Sequence, residues 1–489
     1  MCSTPCSPPE VDLDPQDWPA FRAQAHAMLD DMLGHIESIR EQPVWRPMPP
    51  ESHAQFAADL PTLPGRLEQA HKDFMRWVLP YGVGNLHPRF MGWVHGAGTA
   101  AGFLAEMLAG ALNANVGGRS QAPVEVERQV VRWMAELIGF PEKASGLFLT
   151  GASAANFVAI LVARQAKLGA AVRTRGVAAC GQGLTAYASR ASHNCIVRGM
   201  EMCGLGSDAL HLIPTAQDGT IDIAAAAAAI AADRAAGLRP FLLIGAAGTV
   251  DTGAIDDLAA LADLAAQEGL FFHVDGAVGA LGMMSAELAP LFAGLERADS
   301  VALDFHKWGQ APYDAGFVMV RDPALHLATF TSPADYLRRE PRGLAGGSPW
   351  PCDFGPDLSR GFRALKVWFT LKVYGARALG DAMLQTCRLA DRLAARIDRE
   401  AELERLAPAA LNIVCFRYKG PDANALNAAI VVELQERGLA APSTTVIDGR
   451  LAIRAAIVNH RTRGEDVDAL VDNVLTIGRS LCAPAAVKV

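Results

Sequence analysis

The sequence predicts an α/β protein: a mostly parallel seven-stranded sheet with helices on both faces, a helical N-terminal arm and a small C-terminal α+β domain. Two patterns carry that prediction. Short apolar runs alternate with helical stretches from about residue 86 to residue 375, the signature of strands joined by helical crossovers. The 489 residues also exceed what one hydrophobic core usually serves.

Taken in order, residues 1–85 read as a helical arm with proline breaks at Pro47–Pro50 and Pro61–Pro64. Residues 86–378 form the expected large domain. Its strands are expected at Gly146–Thr150, Leu184–Ser189, Ala209–Ile213, Phe241–Ala246, Leu270–Asp275, Val301–Phe305 and Gly316–Arg321. Helices are expected at Val124–Ile138, Ala154–Leu168, Ile223–Ala235 and Leu258–Gln267. The segment Ser332–Ser359, rich in Pro, Gly and Arg, is too long for a simple connection and reads as a lid or binding segment. Two helices follow, Phe362–Val373 and Leu379–Ile397. In residues 379–489, strands are expected at Asn412–Tyr418 and Leu451–Val458, with helices at Asn424–Glu436 and Gly464–Ile477.

Composition narrows the partners. Hydrophobic residues make up 51% and charged residues 20%, and the net charge is -8. A mildly acidic chain gives no reason to expect nucleic acid or an anionic membrane. Nine scattered cysteines without a CxxC pair suit free thiols in a reducing compartment. The N-terminus shows no basic patch followed by an apolar run, and no stretch approaches the roughly 20 apolar residues of a membrane span. A cytoplasmic location is the expectation.

Chemistry concentrates where strands end, the usual place for ligands in such sheets. In Asp304-Phe305-His306-Lys307-Trp308 a lysine sits among apolar and aromatic neighbours. Desolvation there is expected to lower its pKa and free the amine for Schiff-base formation; a lysine snorkelling from a strand end is the alternative. In Phe271-Phe272-His273-Val274-Asp275-Gly276-Ala277 a buried strand ends in an acid, which needs a cationic partner such as a protonated pyridine nitrogen. A helix cap is the alternative for Asp275. Thr150-Gly151-Ala152-Ser153-Ala154-Ala155-Asn156 offers small residues at a helix start, where backbone N–H groups take a phosphate. His193 follows a strand and suits ring stacking and proton transfer. Gly248-Thr249-Val250-Asp251-Thr252-Gly253 offers the hydroxyl of Thr249. A metal hydrolase built on His87, His95 and His273 lacks helix pairing at ligand spacing, and no metal is expected.

That order of motifs resembles fold-type I pyridoxal-phosphate enzymes. More narrowly it is similar to the group II amino-acid decarboxylases, which act on aromatic amino acids, histidine and glutamate. The likeness rests also on His87-Pro88-Arg89-Phe90, on Gln121-Ala122-Pro123 through Glu127, on Ala298-Asp299-Ser300 and on Leu358 through Lys366. The resemblance implies pyridoxal 5'-phosphate as cofactor, bound as a Schiff base on Lys307. It also implies Asp275 on the pyridine nitrogen, His193 on the ring face and Ala277 beneath it. Ala152, Ser153 and His306 fall at the phosphate, and His87, Pro88, Phe90 and Trp93 in the substrate pocket. The implied reaction converts an L-amino acid to an amine and carbon dioxide through an external aldimine and a quinonoid, in a homodimer with interface sites. Trp93, Phe103 and Trp350 make an aromatic substrate plausible.

The chain departs from the family in three places. Ala154 stands where a glutamate is usual, and Phe305 where a proline often precedes His-Lys. The tyrosine that the family's mobile loop presents as proton donor would fall near Trp350-Pro351, and none stands there; Tyr336 matches a different position. His193 or Lys307 then becomes the candidate donor. Transamination, with Arg454 taking a substrate carboxylate, or oxidative deamination to an aldehyde, is the alternative on the same cofactor.

Overall fold

The computed structural model describes residues 12–180, 182–331 and 338–483; Tyr336 and the first eleven residues lie outside them. Two compact units emerge. Residues 1–42 with 46–83 form one, and residues 43–45 with 84–489 the other. In the first, the helix Trp18–Glu37 starts at Asp17, whose side chain accepts the Ala20 N–H. Short helices at Pro50–Gln55 and Leu67–Asp73 follow its proline breaks.

The second unit holds two sheets. A short strand, β1 (Phe90–Met91), opens it. The larger sheet contains β2 (Ser145–Leu149), β3 (Leu184–Ser189), β4 (Leu210–Ile213), β5 (Arg239–Ala246), β6 (Phe271–Asp275), β7 (Ser300–Asp304) and β8 (Gly316–Val320). Their order is β2-β8-β7-β6-β5-β3-β4. Only β8 runs antiparallel to its neighbours; β3, β4, β5, β6 and β7 pair in parallel. The seven strands match the expected ones within two residues at each end, because both faces are covered and the strands read as unbroken apolar runs. β3, β7 and β8 are buried throughout.

Helices cover the faces for legible reasons. Ala122–Ile138 begins with Pro123 in its first turn, buries Val124, Val130, Val131, Met134 and Ile138, and stops at Gly139, whose φ of 80° suits glycine. Ala152–Leu168 buries Ala155, Ala159 and Ala163, small residues that let it lie close on β7 and β8. The two helices expected near residues 362–397 form one element, Arg363–Ile397, broken at Gly375 (φ 77°, ψ 153°). Helices of this unit that went unanticipated include Ala100–Leu112, Cys195–Met202 and Pro323–Phe330.

The smaller sheet adds β9 (Leu403–Arg405), β10 (Ile413–Tyr418), β11 (Ala441–Ile447) and β12 (Arg450–Ala456), in the order β1-β11-β12-β10-β9. β11 escaped the sequence reading because Pro442 and the polar run Ser443-Thr444-Thr445 argue against a strand. Pro442 is tolerated where the strand pairs with the two-residue β1, Phe90 to Ala441 and Met91 to Pro442.

Two family-like motifs are structural. Glu127 and Arg360, both buried, pair at 2.6 Å. Arg360 also donates to the carbonyls of Phe148 (2.8 Å) and Val116 (3.1 Å). This pair fastens the segment after the long loop to β2. The loop's base is held by Trp350, buried between the guanidiniums of Arg119 (4.4 Å) and Arg339 (3.4 Å). Trp350 thus serves as an anchor, and none of the described residues of 332–359 lines the central cavity.

Candidate active site

A cavity of about 480 Å³ opens where β3, β5, β6 and β7 end. It brings together Lys307, Asp275, His193, His306, Ala152 and Ser153, with Thr249 and Ala277. These are all the residues expected to act in catalysis or to bind the cofactor.

Lys307 follows β7 by three residues. Its Nζ lies 2.9 Å from Oδ2 of Asp304, the last residue of that strand. Burial pulls the amine down, but Asp304, helped by Asp275, outweighs it, and Lys307 stands above the ordinary lysine range. The expectation of a neutral, desolvated amine is therefore corrected. An acid three residues upstream shares the same turn, and at that separation attraction beats desolvation. Asp304 has a second bond, accepting the Ala152 N–H at 2.7 Å. Ala152 gives its N–H to this carboxylate, so its part at the phosphate end is one of shape.

Asp275 is buried at the end of β6. Burial raises its pKa, opposed by Lys307, the Ala277 N–H and His193. Its Oδ1 accepts the Ala277 N–H and its Oδ2 the Asn156 amide, both at 3.1 Å. Among the described residues no cation lies within ion-pair distance of it. A buried carboxylate without a counterion calls for one in the cavity, and a protonated pyridine nitrogen answers that call.

At the other end, Gly151 begins the helix Ala152–Leu168. A Cβ there would make only an ordinary contact with the His306 ring, at 3.6 Å; it is the small side chains of Ala152 and Ser153 along the cavity wall that leave room for a phosphate at the helix start. His306 accepts the Ala315 N–H on Nδ1 at 2.9 Å, which leaves Nε2 facing Asp304 at 3.6 Å. Burial, more than any charge, pushes its pKa down to about 4. His193 accepts the Cys195 N–H on Nδ1 at 3.1 Å. Thr249 is turned partly inward on its own loop, where its hydroxyl accepts the Ala254 N–H. These groups fit pyridoxal 5'-phosphate: an amine, an acid across the cavity and a small-residue helix start.

The mouth differs from expectation. Of the residues expected in the substrate pocket, only Trp93 lines the cavity. His87, Pro88 and Phe90 are buried behind it, and neither Phe103 nor Trp350 borders it. Instead His95 stacks on Phe90 (5.8 Å, 13°) and meets Tyr313 edge-on (5.7 Å). Tyr313 lies 4.2 Å from the His306 ring. Burial, then Lys307, lowers the His95 pKa. Val94, Ser443, Thr444 and Asp251 complete this side. Arg454 reaches the cavity, but its nitrogens donate to the carbonyls of Trp93 (2.6 Å), Asp251 (3.0 Å) and Val250 and to the Ser443 hydroxyl (3.2 Å). It holds the mouth's backbone: four of its five N–H hydrogens are taken, which leaves a single Nη2 hydrogen and no bidentate grip for a substrate carboxylate. Asn156, Tyr313 and His95 were in plain view in the sequence, one inside the small-residue turn, one six residues past Lys307 and one two past Trp93.

Comparison with known proteins agrees with this geometry. The pyridoxal-dependent decarboxylase conserved domain matches residues 49–419. An aromatic-L-amino-acid decarboxylase of Bacillus atrophaeus is 34% identical, over 78% of this chain and 79% of its own. An L-2,4-diaminobutyrate decarboxylase of Rhizobium meliloti is 30% identical, over 81% and 79%. The structure of Catharanthus roseus tryptophan decarboxylase in complex with L-tryptophan superposes with a TM-score of 0.85 at 25% identity, over 96% of this chain and all of that one. This chain belongs to the pyridoxal-dependent decarboxylase family. It has the fold-type I architecture and is a pyridoxal-phosphate-dependent amino-acid decarboxylase, a carboxy-lyase, of group II. The aminotransferase alternative is not favoured, in keeping with the engaged Arg454. Among the described residues no helix is long and apolar enough to cross a membrane.

Proposed function

We propose that this enzyme decarboxylates an aromatic L-amino acid, holding its cofactor covalently at Lys307 and ionically at Asp275. The observation that carries the reading is the buried Asp275 carboxylate, without a counterion of its own, facing the cavity that Lys307 enters. When bound, pyridoxal phosphate supplies an electron sink for the pair left behind as carbon dioxide departs. The chain's own residues do the rest. Asp275 keeps the far nitrogen charged. His193 and Ala277 confine the ring from its two faces. Ser153 and the helix start at Gly151 receive the phosphate, with Ala152 and His306 shaping the corner and Thr249 closing the loop side. Once a substrate amine has displaced it from the cofactor, the free Lys307 would be held protonated by Asp304 and would serve as a proton source at the reacting carbon, alongside His193; Trp350 cannot replace the missing loop tyrosine, because it is buried in its anchor.

The aromatic class follows from the mouth. Trp93, His95 and Tyr313 form a ring-lined wall, and both cations of the cavity are engaged, Lys307 by Asp304 and Arg454 by carbonyls. Among the described residues that line the cavity, an acidic substrate side chain would find no cation that lacks a partner already. The relative from Bacillus atrophaeus, named for aromatic amino acids, supports the same class.

We place the enzyme in the cytoplasm as a homodimer, with residues 1–85 as arm, 86–378 as large domain and 379–489 as small domain. Exposed Met107, Leu108 and Leu112 on one helix favour a covered face. The test is a panel of L-tyrosine, L-phenylalanine, L-tryptophan, L-glutamate and L-2,4-diaminobutyrate with mass detection of amines and carbon dioxide. The reading predicts turnover of aromatic members at least tenfold above the others. Preference for glutamate or diaminobutyrate would overturn it.

A further inference from the structure

Behind Asp275 lies a line of buried polar side chains that the reaction as described leaves unused. Ser300 Oγ is 2.8 Å from Nδ1 of His273. Nε2 of His273 is 2.7 Å from Oδ1 of Asn156. Nδ2 of Asn156 is 3.1 Å from Oδ2 of Asp275 and 3.2 Å from the Cys195 sulfur. Ser300, His273 and Asn156 are fully buried, on β7, β6 and the helix Ala152–Leu168. No single segment of sequence contains the line; the parallel pairing of β6 with β7, which sets His273 opposite Ser300, assembles it.

The proton positions follow from what each group can do. An ionised carboxylate only accepts, so Asn156 must present its NH₂ group to Asp275. Both hydrogens of that amide then have acceptors, Asp275 and Cys195. The Asn156 carbonyl oxygen is left facing His273, so His273 Nε2 carries a hydrogen. Complete burial pushes the His273 pKa down to about 4, so the imidazole is neutral and its Nδ1 is bare. Nδ1 therefore accepts from the Ser300 hydroxyl; the Ser300 carbonyl, 3.2 Å away, receives nothing from it. Each bond points the same way, from Ser300 through His273 and Asn156 to the carboxylate. Bonds aligned head to tail polarise one another, and in a water-free interior the effect is largest. Ala277 supplies a second donor at the other oxygen.

We propose that Ser300, His273 and Asn156 form a one-way hydrogen-bond relay that holds Asp275 ionised and fixes its orientation toward the cofactor's ring nitrogen. They are positioning residues, none of which needs to touch substrate. The relay opposes the burial that would otherwise protonate Asp275, and it turns the carboxylate plane by gripping one oxygen from each side. It rests on the reading that Asp275 meets the ring nitrogen.

The test uses apoenzyme reconstituted with pyridoxal 5'-phosphate, reading the dissociation constant and the visible absorbance of the bound cofactor against pH. Asn156→Leu is expected to raise the dissociation constant roughly 10- to 100-fold and to shift the pH dependence of the absorbance. Ser300→Ala, three hydrogen bonds from Asp275 and away from the cavity, is expected to change both in the same direction by a few-fold. Ser300→Thr, which restores the hydroxyl, is expected to recover them. Circular dichroism confirms folding; should Asn156→Leu fail to fold, the Ser300 pair alone decides. Folded Ser300→Ala with a wild-type dissociation constant and pH profile would overturn the relay. Asp275→Asn separates the two claims: if it too binds the cofactor as tightly as wild type, the role of Asp275 itself fails, whereas if it alone weakens binding, only the relay does.

Discussion

The two ends of the cavity are built differently. At the cofactor end the charged groups are engaged by the large sheet's strand ends and the helix packed on it: Lys307 by Asp304, Asp304 by the Ala152 N–H, and Asp275 by Asn156 and the Ala277 N–H. At the mouth the wall is made of rings, Trp93, His95 and Tyr313, and the polar bonds lie behind it, from Arg454 to backbone carbonyls. The first end is rigid and electrostatic and suits a reaction whose charge must be managed. The second is shaped by surface, with its backbone pinned, and suits selection among side chains.

The comparison is broken most severely at Lys307. Lys307→Ala is expected to lower kcat/KM by at least about 10³-fold, measured as amine release, because no second amine lines the cavity among the described residues. Asp304→Asn should follow, with a loss of about 10- to 100-fold in kcat and an acid-ward shift of the pH–rate profile, since the lysine loses the charge that holds it protonated. Little change in that profile would mean that Asp304 does not govern the amine.

How much of this was legible in the sequence divides along the same line. The cofactor end could be read because its chemistry needs unusual residues at strand ends, and strands buried on both faces announce themselves; all seven strands of the large sheet and the placement of Lys307, Asp275, His193 and His306 followed. The mouth could not. It is assembled from residues 93–95, 313, 443–444 and 454, each ordinary in its own stretch, and one of its walls is β11, whose proline and polar residues disguise a strand. His87, Pro88 and Phe90 were expected at the mouth because a motif in sequence does not say which of its side chains face inward. The Lys307 pKa was misjudged for a related reason: burial is visible in flanking residues, whereas the bond to Asp304 depends on how the chain turns after β7.

At the mouth the expected effects are smaller. Trp93→Ala should raise KM roughly 3- to 10-fold for an aromatic substrate and leave kcat within a few-fold, because the ring contributes binding surface and no charge. A large fall in kcat with unchanged KM would place Trp93 in the chemistry instead. Away from both ends, Glu127→Ala leaves Arg360 buried without its partner and should cost about 3–5 kcal/mol of stability, read by denaturant unfolding.

The gentlest probe is pH. His273, His306 and His460 have pKa values pushed down to about 4 by burial, and His326 to about 3. Their unfolded values lie near 6.5. Between pH 6.5 and 4 the unfolded chain therefore binds more protons, so native stability falls as pH falls through that window. Thermal unfolding followed from pH 7 to pH 4 should show a declining midpoint; a flat profile would mean that these imidazoles are not held neutral.

The most direct measurement concerns the lysine itself. The holoenzyme is reduced with borohydride, digested and mapped by mass spectrometry. One pyridoxyl adduct is expected, on the peptide that contains Lys307. An adduct on another lysine, or a cofactor-loaded protein that yields none, would contradict it.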